Sequence, residues 1–263
     1  MNILNEIIAH KKEEVQALKR EVSLRTFENS PLYKREVNSL SRSIAEREFG
    51  VIAEFKRRSP SAGELNNTNN IVEYVKNYVE ANVAGLSVLT DKEYFGTTTN
   101  DFITLRNAFD VPMLRKEFIV DEFQLFESKA MGADCILLIA SVLSKEELLQ
   151  FSIIAKTLGM EVLVEVHNLQ ELNKVPESID IIGVNNRDLD RQITDISISK
   201  NLAEYLPVKP IRITESGIKT ADEIKELAEI GYQGALIGES IVKSGSPKEV
   251  IQSLTSKIIP VCS

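Results

Sequence analysis

Short, nearly all-apolar runs rich in β-branched residues recur along the chain, at 50–56, 85–90, 111–117, 134–140, 160–166, 179–184, 210–215 and 234–239. Each ends on polar or glycine residues. Because neighbouring positions are both apolar, the runs predict strands covered on two faces, the condition of a parallel sheet. Between them, apolar residues at three- and four-residue spacing predict helices over 70–80, 121–131, 145–158, 221–230 and 247–256. Thr220 and Ser246 are the expected caps of the last two, with Pro247 at a favoured first helical position. Eight such units predict an α/β fold of the closed (β/α)₈ barrel type, spanning 1–263 as a single domain, over an open doubly wound sheet. The residues after the first run, Arg57-Arg58-Ser59-Pro60-Ser61, form no glycine-rich dinucleotide loop, which disfavours a nicotinamide-binding fold. Residues 1–49 read as a helical extension packed on the barrel, with helices over 3–20 and 40–48 joined by a polar stretch around Asn29-Ser30-Pro31.

Composition narrows the function classes. With 263 residues, 43% hydrophobic and 27% charged, the chain can bury a full core. Its net charge of −8 argues against nucleic acid or an anionic membrane as partner, but leaves room for a small anion held by a local basic cluster. The longest uncharged apolar run, 135–144, is too short to span a bilayer, and Lys11, Lys12, Glu13 and Glu14 interrupt any signal-peptide core. Two cysteines, Cys135 and Cys262, make neither a disulfide framework nor a metal site, so a reducing, cytoplasmic setting is expected.

In a barrel of this kind the chemistry sits at the C-terminal ends of the strands. There the first run delivers Glu54 and Lys56, followed by Ser59; the third delivers Lys116 and the fifth Glu165. The sixth delivers Asn185, Asn186 and Arg187; the seventh Glu215, Ser216 and Gly217; the eighth Gly238 and Glu239. Glu54 and Lys56 are two apart and share a side of their strand. A doubly covered strand carries such charges only where they meet partners inside the barrel mouth. Ser216-Gly217 and Gly238-Glu239-Ser240, with a helix-like 239–243 behind them, form the usual phosphate position. His167 reads as an ordinary loop histidine, Cys135 as a small core residue, and His10 has no assigned role.

These residues resemble the indole-3-glycerol phosphate synthase family. The resemblance rests on Ile52-Ala53-Glu54-Phe55-Lys56-Arg57-Arg58-Ser59-Pro60-Ser61, on Leu86-Ser87-Val88-Leu89-Thr90-Asp91 with Tyr94-Phe95-Gly96, and on Leu114-Arg115-Lys116-Glu117-Phe118-Ile119. It continues through Glu161-Val162-Leu163-Val164-Glu165-Val166-His167, Gly183-Val184-Asn185-Asn186-Arg187-Asp188-Leu189 and Glu215-Ser216-Gly217-Ile218. It implies conversion of 1-(2-carboxyphenylamino)-1-deoxyribulose 5-phosphate to indole-3-glycerol phosphate, carbon dioxide and water, in tryptophan biosynthesis and with no cofactor or metal. It also implies Lys116 as the general acid of ring closure, Glu165 as its acid/base partner, and Lys56 as assistant in dehydration and substrate binding. Glu54, Asn185 and Glu215 are implied to orient lysines and substrate hydroxyls. Ser59, Ser216, Gly217, Gly238 and Glu239 match the phosphate positions, and Arg187 the carboxylate. Pro60, Phe95, Phe118, Leu137 and Leu189 match the slot for the aromatic ring. The family has Asp after the third-strand lysine; Glu117 stands here and is expected outside direct contact with substrate. A phosphoribosylanthranilate isomerase-like barrel is the nearest alternative, disfavoured by Glu54 and Lys56 where that family has a cysteine, and by residues 1–49. A non-catalytic barrel that binds a phosphorylated ligand is the other. A monomer is the expected form, with association to other tryptophan-pathway enzymes left open.

Overall fold

The computed structural model describes residues 3–60, 63–66, 68, 70–187, 193–244 and 246–258. Eight parallel strands close into a barrel: β1 (Gly50–Phe55), β2 (Gly85–Leu89), β3 (Met113–Lys116), β4 (Cys135–Ile139), β5 (Glu161–Val166), β6 (Ile181–Asn185), β7 (Ile211–Glu215) and β8 (Gly234–Ile237). Each pairs with its neighbour in sequence, and β1 pairs with β8 to complete the ring. The predicted barrel is thus present. Its third and eighth strands are shorter than the apolar runs suggested. The eighth ends at Ile237 because the chain turns at Gly238 into the helix Glu239–Lys243.

Side-chain alternation sorts the strands into two cores. Val51, Ala53 and Phe55, Ile136 and Leu138, and Val162, Val164 and Val166 face the surrounding helices. Ile52, Leu114, Leu137, Leu163, Ile213 and Leu236 fill the barrel interior. Two residues further along each strand, in phase with that inner set, stand Glu54, Lys116, Ile139, Glu165, Glu215 and Gly238. The inner face therefore changes from apolar to charged toward the C-terminal ends of the strands.

The described helices include those expected from periodicity, together with others that were not. Thr99–Ala108 is one of the additions, closed by a Thr98–Asp101 capping box. Its weak apolar stripe hid it in the sequence. Thr220 caps Ala221–Glu229 as expected. Ser246 does not cap: it occupies the position before Pro247, but its side chain makes no capping bond, and the helix starts on proline geometry instead.

The N-terminal segment holds three helices, α1 (Ile3–Glu21), α2 (Leu24–Glu28) and α3 (Leu40–Ala45). The short α2 falls where only a polar joint was expected. Helix α3 plugs the barrel bottom with Leu40 and Ile44, both fully buried. Glycines on the inner face make room for it: a Cβ on Gly85 would lie 2.6 Å from Leu40 Cδ1, and one on Gly50 would lie 2.9 Å from Ile44 Cγ2. Just outside the plug, fully buried Asp134 accepts from the backbone N–H groups of Met113 at 2.8 Å and Asn38 at 2.7 Å, and from Arg106 Nη1 at 2.7 Å. Arg35 adds a further ion pair.

Removing that carboxylate takes an ion-pair partner from two guanidinium groups at once. Asp134→Ala is expected to lower the unfolding free energy in urea by about 3–5 kcal/mol, the cost of breaking a buried pair from one side. A loss below about 1 kcal/mol, as for a surface ion pair, would contradict this account of how the extension is fastened.

Candidate active site

One cavity opens at the C-terminal ends of the strands, and it collects nearly every residue singled out in the sequence. Glu54, Lys56, Ser59, Pro60, Phe95, Lys116, Phe118, Leu137, Glu165, Asn185, Arg187, Glu215, Ser216, Gly217, Gly238 and Glu239 all line it. Leu189 lies outside the described residues.

Two charge clusters form its floor. Lys116 Nζ stands 2.9 Å from Glu165 Oε2 and 2.5 Å from Glu215 Oε2. The two glutamates are 3% and 1% exposed, so all three groups sit in an environment where none tolerates isolation. Burial opposes the charge of Lys116, but Glu165, Glu215 and Glu54 outweigh it and raise the ammonium pKa above its usual range. Lys116 is therefore a protonated donor at neutral pH. The carboxylates divide. Burial would raise Glu165, yet the Lys116 ammonium and then His167 hold it below the ordinary range. Glu215 is raised by burial, which the attraction of Lys116 fails to cancel against the added repulsion of Glu165. Among the described residues its Oε1 has no hydrogen-bond partner, and it fits only because Gly183 carries no Cβ where that oxygen lies. A second pair, Lys56 with Glu54, completes the floor; burial of Glu54 is outweighed by Lys56 and then Lys116, and its pKa falls.

The apolar wall is formed where Phe95 and Phe118 approach with ring centroids 6.2 Å apart, beside Pro60 and Leu137. Opposite, Ser216 and Gly217 both adopt left-handed backbone angles, φ 65° and 81°. A Cβ on Gly217 would lie 2.5 Å from Thr194 Cγ2, so this turn is closed to larger residues. At Gly238 the backbone φ is −127°, and no left-handed angle demands glycine. The demand is spatial: a Cβ there would lie 2.6 Å from Glu54 Oε1. Glu239 begins the short helix, and its carboxylate stands 3.3 Å from Arg187 Nη2 and 2.5 Å from Lys243 Nζ.

Three features were missed by sequence reasoning. Helix α1 supplies part of the wall, through Ile3, Leu4 and Ile7. It is latched by Lys11, which is 2% exposed and stands 3.0 Å from Asp91 Oδ2 and 3.2 Å from Glu117 Oε1. A lysine four residues after Ile7, on the apolar stripe, was the available signal. Glu117, expected outside direct contact with substrate, stands in the cavity wall. Its carboxylate turns to Lys11, to the Thr90 hydroxyl at 2.6 Å and to the Phe118 N–H at 2.8 Å, fastening the wall. Finally, His167, read as an ordinary loop histidine, brings its Nε2 to 3.5 Å from Glu165 Oε1.

Comparison with known proteins adds names to this geometry. A family model described as indole-3-glycerol phosphate synthase matches residues 4–254. The chain is similar to proteins named indole-3-glycerol phosphate synthase from Bacteroides thetaiotaomicron, at 40% identity over 98% of this chain and 99% of that one, and from Thermoanaerobacter pseudethanolicus, at 40% identity over 92% of each. Among solved structures it resembles the tryptophan synthase alpha subunit of Legionella pneumophila, with TM-score 0.60 and 14% identity over 83% of this chain and 97% of that one. It also resembles thiamine phosphate pyrophosphorylase of Pyrococcus furiosus, with TM-score 0.58 and 14% identity over 81% and 97%. At that identity the structural likeness speaks for the barrel alone. No described helix is long and apolar enough to cross a membrane.

The raised pKa of Glu215 has a stability consequence with a definite sign. Between the ordinary carboxyl value of 4.5 and the raised native one, the native state holds a proton that the unfolded state has lost, so stability falls as pH rises through that window. Glu215→Gln mimics the protonated form and removes this fall. Urea unfolding across pH 4.5 to 8 is expected to show the parent losing stability relative to the variant. Parallel curves would mean Glu215 is ionised throughout.

Proposed function

The chain belongs to the indole-3-glycerol phosphate synthase family, and we propose that Lys116, Glu165, Glu215, Glu54, Lys56 and Asn185 carry that family's reaction in the barrel mouth. The observation that carries the proposal is the Lys116 ammonium held between two buried carboxylates beside an apolar slot. The family's substrate is a small phosphorylated anion with an anilino ring, and the two halves of the cavity suit its two ends.

Ring closure joins the ring carbon that bears the carboxylate to the substrate's carbonyl carbon. The carbonyl electron pair moves onto oxygen, which takes a proton from Lys116 Nζ. The bond to the carboxylate then breaks, its electron pair restores the aromatic ring, and carbon dioxide leaves. In the second stage the new hydroxyl takes a proton and departs as water, pushed by the nitrogen lone pair, while a base removes the proton from the adjacent carbon. Glu165, ionised beside Lys116, is suited to the base role, and Lys56 to assisting the departing hydroxyl. Glu54 keeps Lys56 charged and aimed, Glu215 aims Lys116, and Asn185 helps hold Glu165 ionised. The aromatic ring rests against Pro60, Phe95, Phe118 and Leu137, with Leu189 carried over from the family pattern. Arg187 takes the substrate carboxylate, exchanging it for Glu239. The phosphate sits among Ser59, Ser216, Gly217, Gly238 and the backbone of Glu239.

Residues 1–263 act in this reading as one barrel domain, with 1–49 forming part of the site wall. The working form is a monomer in the cytoplasm, in keeping with the free, buried thiol of Cys135; sedimentation tests the oligomeric state.

Two experiments check these assignments. Lys116→Ala, followed by indole fluorescence on the carboxyphenylamino substrate, is expected to lose about 10²–10⁴-fold in kcat, the worth of a general acid, while substrate still binds. Parent-like turnover would remove Lys116 from the chemistry. Crystals soaked in sulfate are expected to hold the anion between Ser59, Gly217 and Gly238. An anion elsewhere, with that pocket empty, would overturn the phosphate assignment.

A further inference from the structure

Behind Glu165, on the side away from Lys116, an imidazole stands between two carboxylates, Glu165 and Glu171, in an arrangement that the reaction described above does not use. Alternation places His167 on the same side of the chain as Glu165, two residues on. Its ring is clamped from one edge. Glu171 Oε2 stands 3.0 Å from Nδ1 and accepts the His167 backbone N–H at 2.8 Å. Glu171 is itself fixed: its other oxygen accepts from Asn168 Nδ2 at 2.7 Å, and its own N–H donates to Asn168 Oδ1 at 3.0 Å, the cap of helix Leu169–Leu172. With the ring so held, the remaining nitrogen, Nε2, lies 3.5 Å from Glu165 Oε1 and is buried without a hydrogen-bond partner among the described residues.

We propose that His167, held by Glu171, is a positioning residue for Glu165: its imidazolium aims Nε2–H at Oε1 and keeps that carboxylate in one orientation, ionised, opposite Lys116. The inference rests on the reading of Glu165 as the base. A buried nitrogen facing a carboxylate is best served by a proton on it, because a lone pair there would meet only negative oxygen. Every charged group facing the ring favours that state. Glu165 lies on β5, Glu171 on the following helix, and Glu215 adds its field from β7; Lys116 lies beyond Glu165 and acts on it from the other oxygen. Burial opposes the imidazolium, but Glu171 and Glu165 outweigh it, and the histidine pKa is raised above its usual range. Turnover should then decline on the alkaline side as His167 loses its proton and Glu165 loses a partner.

The test is a double-mutant cycle on kcat across pH, using Glu165→Gln, His167→Phe and the two together. His167→Phe is expected to lose roughly ten- to a hundredfold in kcat, the range of a forfeited charge-assisted hydrogen bond, with KM near the parent value. The alkaline limb should vanish. In the double variant the loss should equal that of Glu165→Gln alone, because His167 acts through Glu165. Glu171→Gln removes the charge that supports the imidazolium and should move the alkaline limb to lower pH. Additive losses, or a folded His167→Phe with the parent profile while Glu165→Gln is impaired, would remove the positioning role and leave the Glu165 assignment standing. Parent-like turnover in Glu165→Gln alone would remove both. Should the phenylalanine variant fail to fold, histidine-ring NMR of the parent decides, since the chain has only His10 and His167 and a His10→Asn variant assigns the pair. A His167 titration above the usual range supports the proposal, and one at or below that range overturns it.

Discussion

A lysine ammonium between two almost fully buried carboxylates is stable only if the backbone holds all three within hydrogen-bond reach. Lys116, Glu165 and Glu215 come from β3, β5 and β7, which are not neighbours in the ring. Only a closed barrel brings their inner faces to one point. The rest of the molecule can be understood as what that requirement needs: an apolar interior beneath the charges, strands covered outside by helices, and a floor that seals the bottom. If the barrel breathed, water would screen the triad, and the division of pKa between Glu165 and Glu215 would weaken.

The N-terminal segment serves this constraint at both ends. At the bottom, Leu40 and Ile44 close the interior, and Asp134 ties the approach to α3 to the barrel through Asn38 and Arg35. At the top, the buried Lys11 pairs α1 with Asp91 and Glu117, so that Ile3, Leu4 and Ile7 complete the apolar wall. Glu117 illustrates how a departure in sequence is absorbed. Its carboxylate meets a lysine, a hydroxyl and a backbone N–H together, so the charge at this position is fully used in holding the wall.

Much of this was legible in the chain because a parallel barrel writes itself into sequence twice. Consecutive apolar residues mark the strands, and charges in phase with the inner face mark the site: Glu54 follows Ile52, Lys116 follows Leu114, Glu165 follows Leu163 and Glu215 follows Ile213. Part of what was not legible depends on contacts distant in sequence. Nothing local to Lys11 says that Asp91 and Glu117 wait for it. Thr99–Ala108 has too weak an apolar stripe to stand out, and Ser246 looks like a cap although Pro247 does the work. Gly238 reads only as part of the phosphate turn, and nothing in the sequence shows that a Cβ there would also meet Glu54. His167 looked like an ordinary loop residue because spacing alone does not show its ring standing between Glu171 on the following helix and Glu165 on the preceding strand.

The central claim is that the triad is the reaction centre, with Lys116 as the proton donor to the carbonyl oxygen. A crystal structure of Glu165→Gln with the carboxyphenylamino substrate bound tests it most directly. The account predicts Lys116 Nζ within hydrogen-bond distance of the substrate's carbonyl oxygen, the ring against Phe95 and Phe118, and the phosphate between Ser59 and Gly238. A substrate whose carbonyl oxygen is held by another group, with Lys116 still bound only to its glutamate partner, would contradict it.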